Sequence, residues 1–385
     1  MPLNDPIWAA LAAAGAAVWL AILLQPWQPW RVREVLDADE ALAHGTADLS
    51  DITVLIPARN EADVIGGTIG ALANQGSGLK VIVVDDQSDD GTADAAHRAS
   101  DAADGLTLDV ITGAPLPDGW AGKMWALEQA RNHATTPLVL LLDADIELAP
   151  GLLATLKMRR LKTGARFISL MANLRMVGIW EKFLMPAFVF FFKLLYPFQL
   201  SNNQNKWVAA GAGGCVLTDN ALLAEMGGFG AIRNAIIDDC ALAGEARRAN
   251  AQTWIGLTHS VCSTRPYGGL ASIWNMVARS AFTQLRYSLP LLLLCTLVLA
   301  VACWLPVIAI FVSPALVPKM IGAGAFVGMM AAYGPTLGYY RRGPLWAATM
   351  PLIGTLYLAM TWGSAWRYWR GARSQWKGRT YSRGQ

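Results

Sequence analysis

Two carboxylates separated by one small residue follow directly on an apolar run of the chain. Asp143, Ala144 and Asp145 come after Leu138–Leu142, a run that predicts a buried β-strand. A strand end presents both carboxylates toward a common point. Such a pair can hold a hard divalent ion, Mg²⁺ or Mn²⁺, which in turn neutralises a diphosphate. The sequence therefore predicts a metal site at Asp143 and Asp145.

A second acidic pair ends another apolar run. Asp85 and Asp86 lead into a polar turn, residues 87–92, that is rich in Ser, Asp and Gly. Carboxylates accept hydrogen bonds from ring N–H groups and sugar hydroxyls, so this segment suits recognition of a base or a ribose. The same residues can also form an Asx turn that caps the next helix through Asp90 or Thr92. The two interpretations are compatible.

The apolar runs also indicate which elements must position these side chains. They are short, nearly continuous, and alternate with Ala-rich stretches, a pattern typical of βα units and of a parallel sheet covered on both faces. Catalytic groups in such a sheet lie at the carboxyl ends of its strands. The predicted strands are Ile52–Pro57, Lys80–Asp86, Leu108–Thr112 and Leu138–Asp143.

The composition excludes a wholly soluble protein. Of the 385 residues, 54% are hydrophobic and 15% are charged, against about a quarter charged in ordinary soluble domains. Four stretches carry no charge and are each long enough to span about 30 Å of hydrocarbon. These stretches are Pro6–Trp30, Leu289–Pro318, Met320–Tyr340 and Gly343–Trp366.

Charge is distributed unevenly along the chain. All 28 acidic residues lie at or before Glu245, whereas 14 of the 31 basic residues follow it. A basic, acid-free segment beside apolar spans indicates contact with anionic lipid headgroups. We therefore expect a lipid bilayer, and no nucleic acid, as a partner.

These patterns divide the chain into four parts. Residues 1–30 are expected to be a membrane anchor and residues 31–288 a cytoplasmic α/β domain with interfacial helices near 179–200 and 269–288. Residues 289–366 would form about three membrane helices, and residues 367–385 a basic tail. Arg31 favours a cytoplasmic side after the anchor, but three further crossings would put the basic tail outside, against the positive-inside tendency. The sequence leaves the number of crossings open.

Four polar motifs follow one another along about 190 residues: IPARNE at 56–61, VVDDQSDDGT at 83–92, LLLDAD at 140–145 and IDD at 237–239. Their order and spacing resemble the family 2 glycosyltransferases. The resemblance implies a single nucleotide-diphospho-sugar transferase domain of the GT-A type, with a mostly parallel sheet, flanked here by membrane helices at both ends.

The resemblance also implies roles for individual residues. Asp143 would contact the sugar or ribose and ligate the metal together with Asp145. Asp239 matches the catalytic base, which the family presents as Glu-Asp. Asp238 replaces that Glu, so either acid can be the base. The nucleotide pocket would be lined by Pro57, Arg59, Glu61 and Asp86.

The case for a base near Asp239 also has a physical ground. An acceptor hydroxyl must lose its proton as it attacks the anomeric carbon, and a carboxylate can accept that proton. Two adjacent carboxylates can raise each other's pKa and improve the base. The alternative is that Asp238 or Asp239 merely caps the helix predicted at Ala241–Arg248.

Two further segments resemble the lipid-modifying branch of the family. Gly119–Lys123 (GWAGK) resembles a segment of ceramide glucosyltransferases and of hopanoid- and carotenoid-associated enzymes, and Lys123 is expected to contact the donor. Gln284, Arg286 and Tyr287 resemble the Q-x-R-W box, in which the Arg holds the diphosphate. Residues 376–381 also recur in this branch and are expected at the membrane interface.

The overall resemblance is closest to bacterial hopanoid-associated glycosyltransferases and more distant to ceramide glucosyltransferases. It implies an inverting, Mg²⁺- or Mn²⁺-dependent transferase of the inner membrane. The donor would be a nucleoside diphosphate sugar, expected to be a UDP-sugar, and the acceptor a membrane lipid, expected to be a hopanoid. Alternative acceptors are a polyprenyl phosphate, a ceramide or diacylglycerol, or a polysaccharide. A catalytically inactive, membrane-anchored nucleotide-binding scaffold is the non-enzymatic alternative.

Overall fold

The structure is a computed structural model that describes residues 5–43, 47–205, 207–371 and 375–380. Its strands are β1 Ile52–Ala58, β2 Leu79–Asp85, β3 Leu106–Thr112, β4 Leu138–Leu142, β5 Ile146–Leu148, β6 Phe167–Asn173, β7 Cys215–Asp219, β8 Thr253–Ser263, β9 Gln375–Trp376 and β10 Arg379–Thr380.

Fourteen α-helices occur in the described residues. They are α1 Asp5–Leu24, α2 Ile65–Ala73, α3 Thr92–Asp101, α4 Gly122–His133, α5 Leu152–Thr163, α6 Ile179–Leu195, α7 Phe198–Asn202, α8 Asn220–Glu225, α9 Asp238–Arg248, α10 Leu270–Gln284, α11 Leu289–Leu299, α12 Leu305–Val312, α13 Leu316–Tyr339 and α14 Met350–Trp369.

Eight strands form one mixed sheet in the order β3-β2-β1-β4-β7-β6-β8-β5. The first four strands are mutually parallel, so their carboxyl ends lie at one edge of the sheet. Strand β7 runs antiparallel to both β4 and β6, β8 pairs parallel with β6, and β5 is antiparallel to β8. The predicted mostly parallel α/β architecture is confirmed.

Side chains of the central strands are buried on both faces. All seven residues of β1 and all five of β4 are buried. Val54 and Ile56 belong to one hydrophobic cluster, whereas the intervening Leu55 belongs to the cluster on the opposite face. Because each successive residue meets a covered face, the sequence shows continuous apolar runs instead of alternation.

The chain forms two compact units. The helical unit contains Met1–Arg33, Met176–Gln199 and Tyr267–Ala372. The sheet unit contains Glu34–Arg175, Leu200–Pro266 and Arg373–Gln385. The motifs predicted to carry chemistry lie in the sheet unit, with the exception of residues 284–287, which lie in the helical unit.

Four helical segments of the described chain are long and apolar enough to cross a membrane: Asp5–Leu24, Leu289–Val312, Leu316–Tyr339 and Pro344–Trp369. The second segment contains a π-helical turn, Ala300–Trp304, followed by Pro306. Proline has no N–H to offer the carbonyl four residues earlier, that of Ala302. The indole of Trp19 on α1 donates to this carbonyl at 2.7 Å, which satisfies it and ties the first segment to the second.

Helix α6 is apolar but carries charged residues that are buried and bonded. The carboxylate of Glu181 accepts hydrogen bonds from the backbone N–H groups of Val177, Gly178 and Tyr267 at 2.6–2.9 Å. Lys193 donates to the carbonyl of Arg31. These bonds satisfy charges that would otherwise be costly in an apolar setting.

Candidate functional site

Lys123 joins two of the acidic motifs. It is the second residue of α4, and its Nζ lies 2.9 Å from Asp143 Oδ1 and 3.1 Å from Asp238 Oδ2. Asp143 follows β4 directly, and Asp238 opens α9, so the lysine connects the end of a central strand to the start of a helix about 95 residues later. Three sequence-predicted residues therefore meet at one point.

Asp239 lies beside this trio but is held by backbone groups. Its Oδ2 accepts the N–H of Gly213 at 2.9 Å, and its Oδ1 accepts the N–H of Cys240 at 2.8 Å. The residue at the N-cap of α9 is Ile237, whose side chain makes no capping bond. Neither aspartate is therefore the N-cap residue of α9, although Asp239 accepts the N–H of Cys240 in the first turn of that helix.

Burial and neighbouring charges shift the pKa values of three members of the cluster. Burial raises the pKa of Asp239 to about 7, and the carboxylate of Asp238 adds to the rise while the two N–H donors oppose it. Burial also raises the pKa of Asp143, against the effect of Lys123. Burial alone would lower the pKa of Lys123, but the Asp143 and Asp238 carboxylates raise it well above its ordinary value, so Lys123 stays charged.

The cluster lines a pocket with about 340 Å³ of empty space, part of which is open to solvent. Charged groups occupy one side, and the remaining wall is apolar, contributed by the ends of β1 and β4 and by α4 and α9. A few convergent polar groups in an apolar concavity are typical of small-molecule sites. The lining includes Pro57, Lys123, Leu142, Asp143, Gly213, Phe229, Asp238 and Asp239.

The loop before β7 packs directly against Asp239. A Cβ atom at Gly211 would lie 2.4 Å from the carbonyl oxygen of Asp239, closer than any side chain tolerates. A Cβ atom at Gly213 would lie 3.4 Å from Lys123 Nζ. Glycine is required at Gly211 because the two backbones approach closely there. The loop at 209–215 thus fixes where α9 begins and where its carboxylates lie.

Replacing Gly211 by Ala should therefore displace the start of α9. We expect the catalytic rate to fall by about tenfold or more, because small displacements of positioned groups are costly to catalysis. Gly244→Ala is the matched control, since that glycine lies within α9 and a Cβ atom added to it would meet no atom within 4 Å. The control should keep its activity and gain up to about 1 kcal/mol of unfolding free energy. Equal activity of both variants would contradict the positioning role.

A second group of charges surrounds Asp145. Its Oδ2 accepts hydrogen bonds from Ser263 Oγ at 3.0 Å and from Arg265 Nε at 3.1 Å. Arg265 Nη2 lies 2.8 Å from Oε1 of the buried Glu61. Arg265, which follows β8, thus joins the predicted metal ligand to the predicted nucleotide residue. Sequence reasoning did not identify this arginine because it did not identify β8.

Arg59 and Asp86 lie at the adjoining ends of β1 and β2. Asp86 is buried, and the Arg59 guanidinium lies 3.9 Å from its carboxylate while donating to the carbonyls of Asp86 and Gln87. The turn after β2 is an Asx turn, because Asp90 Oδ1 accepts the N–H of Thr92 at 3.0 Å. The Asx turn is therefore present, but the expected cap residue was wrong, because the N-cap of α3 is Gly91, with a φ of 83°, and neither Asp90 nor Thr92.

The C-terminal hairpin contributes Lys377, which lies in the motif at 376–381 but was not expected from the sequence to reach this site. Strands β9 and β10 pair antiparallel around Lys377 and Gly378. Lys377 Nζ lies 3.1 Å from Glu61 Oε1 and donates to the carbonyl of Asn60 at 3.0 Å. The Lys377 carbonyl accepts a hydrogen bond from Arg59 Nε at 3.0 Å. No local pattern announces this contact, which joins residues more than 300 positions apart.

The Q-x-R-Y residues lie in the helical unit, at the junction of α10 and α11. Arg286 and Tyr287 have φ angles of 52° and 55°, two consecutive non-glycine residues in the left-handed region. Tyr287 stacks on Tyr368 with ring centroids 4.4 Å apart. Gln284 Oε1 accepts the hydroxyl of Tyr196 at 2.6 Å. Strained backbone of this kind concentrates at functional sites.

The carboxylates fit a hard divalent cation. Asp143 and Asp145 offer only oxygen donors, and each uses one oxygen for its cationic partner, which leaves the other oxygen free of protein hydrogen bonds among the described residues. No cluster of three or more His, Cys, Asp or Glu suited to a metal occurs in the described parts of the chain. Mg²⁺ is commonly held by one or two carboxylates together with substrate phosphates, so two are sufficient.

Part of the chain is similar in sequence to curated proteins. Two of them are 4,4'-diaponeurosporenoate glycosyltransferases, from Staphylococcus haemolyticus (strain JCSC1435) at 31% identity over 97 residues and from Staphylococcus aureus (strain bovine RF122 / ET3-1) at 36% over 96. Each match covers 25% of this chain and 24% of the relative. The matched part of this chain thus spans about a quarter of the length of these relatives.

A solved structure resembles most of the chain. The mannosyltransferase of Pyrobaculum calidifontis, in complex with GDP-Man and Mn²⁺, has a TM-score of 0.52 at 19% identity, over 93% of this chain and 99% of that chain. This likeness concerns the fold. Residues 53–227 match the family described as Glycosyl transferase family 2. Residues 53–227 are therefore similar to the glycosyltransferase family 2 domain, and the fold is that of a GT-A-like nucleotide-sugar transferase.

Proposed function

We propose that this chain is a membrane-bound, inverting glycosyltransferase that moves a sugar from a nucleoside diphosphate sugar to a membrane lipid. The observation that carries the proposal is the cluster of Asp143, Asp238 and Asp239 around Lys123, in one pocket at the carboxyl ends of β1 and β4. Ligands of open α/β sheets bind at these ends. The family 2 match to residues 53–227 supports the same activity.

The donor is assigned to the β1 and β2 side of the site. Arg59, Glu61 and Asp86 would surround the nucleotide together with Pro57, which lines the pocket. Asp143 and Asp145 would hold Mg²⁺ or Mn²⁺, which when bound neutralises charge on the diphosphate. The structural neighbour that was solved with GDP-Man and Mn²⁺ supports this proposal. A UDP-sugar remains the proposed donor.

Asp239 is the proposed base. Asp238 is paired with Lys123, so its carboxylate is engaged by a cation, whereas Asp239 has no cationic partner within hydrogen-bond distance among the described residues. Its raised pKa suits proton acceptance near neutral pH. The acceptor hydroxyl oxygen would attack the anomeric carbon as its proton passes to Asp239. The bond to the diphosphate oxygen breaks on the opposite face, so one displacement inverts the configuration.

Lys123 is proposed to have two tasks. An ammonium group has three N–H donors, and two of them are directed at Asp143 and Asp238. The third can donate to the diphosphate of the donor. Lys123 would therefore fix the two acidic motifs relative to each other while contributing positive charge to the leaving group.

By its resemblance to the arginine of the Q-x-R-W box, Arg286 is proposed to stabilise the departing diphosphate. Its guanidinium is exposed and has no hydrogen-bond or ion-pair partner among the described residues of the helical unit. Tyr287 and Gln284 are each engaged by another tyrosine, which would hold the turn in its strained conformation. We therefore expect Arg286 to bind the donor, while Gln284 and Tyr287 orient Arg286.

A membrane lipid is the acceptor that the rest of the chain favours. Four apolar helical segments accompany the catalytic domain, and the curated relatives are named as glycosyltransferases of 4,4'-diaponeurosporenoate. The IPARNEA and GWAGKMWAL segments, which resemble hopanoid-associated enzymes, lead us to propose a hopanoid. A polyprenyl phosphate, a ceramide or diacylglycerol, and a polysaccharide are the alternatives.

Extraction of the product separates these acceptors. Purified protein incubated with a radiolabelled nucleotide sugar and bacterial membrane lipid should give label in the organic phase, with a hopanoid aglycone by mass spectrometry. Another lipid aglycone would replace the hopanoid assignment, and a long water-soluble polymer would contradict lipid transfer altogether. Nucleotide binding without any donor turnover would favour the scaffold alternative.

The Lys377 contacts also bear on membrane sidedness. Because Lys377 packs on Glu61, residues 375–380 lie on the same side of the bilayer as the sheet unit. The chain leaves this unit after Pro266, so it crosses the bilayer an even number of times before it returns. We therefore propose that two of three helical segments cross and that one does not, the three being Leu289–Val312, Leu316–Tyr339 and Pro344–Trp369.

This topology removes the conflict over the basic tail. Arg31, the sheet unit and the tail would all lie in the cytoplasm, in agreement with the positive-inside tendency. The chain segment that contains α6 both follows and precedes parts of the sheet unit in sequence. A single crossing of the bilayer by α6 is therefore excluded, which supports an interfacial position. The proposed location is the bacterial inner membrane.

Two epitope tags test the topology, one inserted between Asp104 and Gly105 in an exposed turn and one at the C-terminus. In intact spheroplasts both tags should resist added protease, and both should be digested after detergent is added. Digestion of the C-terminal tag alone would show an odd number of crossings and contradict the proposal.

A further inference from the structure

The turn of the C-terminal hairpin is held in a conformation that side chains disfavour. Lys377 and Gly378 form a two-residue connection with φ angles of 46° and 82°. Glycine adopts this region freely, whereas lysine at a positive φ is strained. Trp376, the preceding residue, packs against the hydrophobic cluster beneath the sheet that contains Leu55 and Val84. The hairpin is thus docked on the sheet unit, and its strain is balanced by the contacts that it makes.

Those contacts involve three consecutive residues of a single loop. Arg59 donates to the backbone carbonyl of Lys377, and the Lys377 ammonium donates to the carbonyl of Asn60 and pairs with Glu61. Asn60 itself has a φ of 51°, so the loop after β1 is also strained. Two strained segments therefore brace each other through charged and backbone groups.

The charge balance at Glu61 depends on the hairpin. One oxygen of this buried carboxylate is shared by Lys377 at 3.1 Å and Arg265 at 2.8 Å. Arg265 is also paired with Asp145, so it cannot by itself neutralise both carboxylates. Removing the Lys377 ammonium would leave a buried carboxylate under-compensated, which is costly in a poorly hydrated site.

We infer that Lys377 is a positioning residue of the donor site, which holds Glu61 and the loop after β1 in the conformation that receives the nucleotide. The inference rests on the proposed function, in which this loop lines the nucleotide pocket. Lys377 acts through Glu61 and is not assigned a contact with the reacting atoms. The C-terminal hairpin is thereby part of the binding site.

The test is the binding of a nucleoside diphosphate with Mn²⁺, measured by calorimetry on the full-length protein in nanodiscs. Lys377→Met should weaken binding by about tenfold or more, whereas Lys377→Arg, which keeps the charge, should stay within about threefold. Lys162→Met removes an exposed lysine of α5 and should bind as the unchanged protein does. In a Glu61→Gln background, adding Lys377→Met should weaken nucleotide binding by less than about threefold, because Lys377 acts on binding through Glu61.

A second measurement does not depend on turnover. Trypsin cleavage at the Lys377–Gly378 bond, followed by mass spectrometry, should be slowed at least several-fold by the nucleotide, because binding stabilises the docked hairpin. Unchanged binding by Lys377→Met would overturn the inference while leaving the proposed function intact. Equal losses in Lys377→Met and Lys377→Arg, with lowered unfolding temperatures in both, would show a purely structural brace and also overturn it. Failure of the unchanged protein to bind any nucleoside diphosphate would overturn the proposed function as well.

Discussion

Replacing Asp239 by Asn should reduce sugar transfer by about 10²–10⁴-fold, the range that a positioned base contributes, while donor binding stays within about threefold. Asn cannot accept the acceptor proton, yet it preserves the shape of the side chain and one of the bonds from Gly213 and Cys240. The measurement is single-turnover transfer with a saturating donor, paired with calorimetric binding of the nucleotide.

The pH dependence has a definite sign. A base must be deprotonated to act, and burial raises the pKa of Asp239 to about 7. We therefore expect transfer to rise with pH and to level off above that value. Asp238→Asn should lower the rate less and keep the pH-dependent rise. A larger loss in Asp238→Asn, together with disappearance of the rise, would assign the base to Asp238 instead.

Stability provides the control for this variant. A carboxylate whose pKa is raised by folding binds more protons in the folded state, so its contribution to stability falls as pH increases through the window between its ordinary pKa and the raised one. Asp239→Asn removes that unfavourable ionisation. The unfolding temperature of the variant at pH 8 should thus be no lower than that of the unchanged protein, and a marked drop would show that lost folding explains lost activity.

Replacing Lys123 by Met has the second largest expected effect. Without the ammonium, Asp143 and Asp238 lose their shared counterion. We expect the free energy of unfolding to fall by about 1–3 kcal/mol at pH 8, a figure reduced from that for fully buried pairs because both carboxylates are partly exposed. Transfer should fall by about 10²-fold or more, because the leaving group also loses a positive charge.

The contribution of Lys123 to stability should decrease as the pH falls, whereas the contribution of Asp239 decreases as the pH rises. Burial raises the pKa of Asp143, so without Lys123 this carboxylate can take up a proton at pH 5 and the difference in unfolding free energy from the unchanged protein should shrink. Chemical unfolding in detergent at the two pH values measures the difference. Lys162→Met is the matched control, and its stability should not change at either pH. Equal stability of Lys123→Met and the unchanged protein at pH 8 would contradict the role of Lys123.

The sequence predicts the first half of the sheet well for a physical reason. Strands β1 and β4 are buried on both faces and β2 is mostly buried, so each appears as a continuous apolar run that ends in polar residues, whereas the edge strand β3 is half-buried. The run Ile52–Pro57 differs from the observed Ile52–Ala58 by one residue. Strands β6 to β8 were not predicted. Their positions depend on pairing between distant segments, such as β7 inserted between β4 and β6.

The candidate site, like the sheet, was predicted from the sequence only in part. Motifs that follow strand ends, Asp143 above all, were located from the sequence because strand ends meet at one edge of the sheet. The partners that set their chemistry were not. Arg265 follows a strand that was not predicted, and Lys377 reaches Glu61 across more than 300 residues. The question of Asp238 or Asp239 was left open because the answer depends on which acid Lys123 pairs with.

The acidic cluster is proposed to perform metal-dependent transfer of a sugar to a lipid with inversion. The most direct measurement incubates purified full-length protein in nanodiscs with α-linked nucleotide sugars, Mn²⁺ and membrane lipid. The anomeric configuration of the extracted glycolipid is then determined by NMR. We predict a β-linked product that forms with Mn²⁺, disappears with chelator and is absent with Asp239→Asn. An α-linked product, or equal product from Asp239→Asn, would contradict the claim.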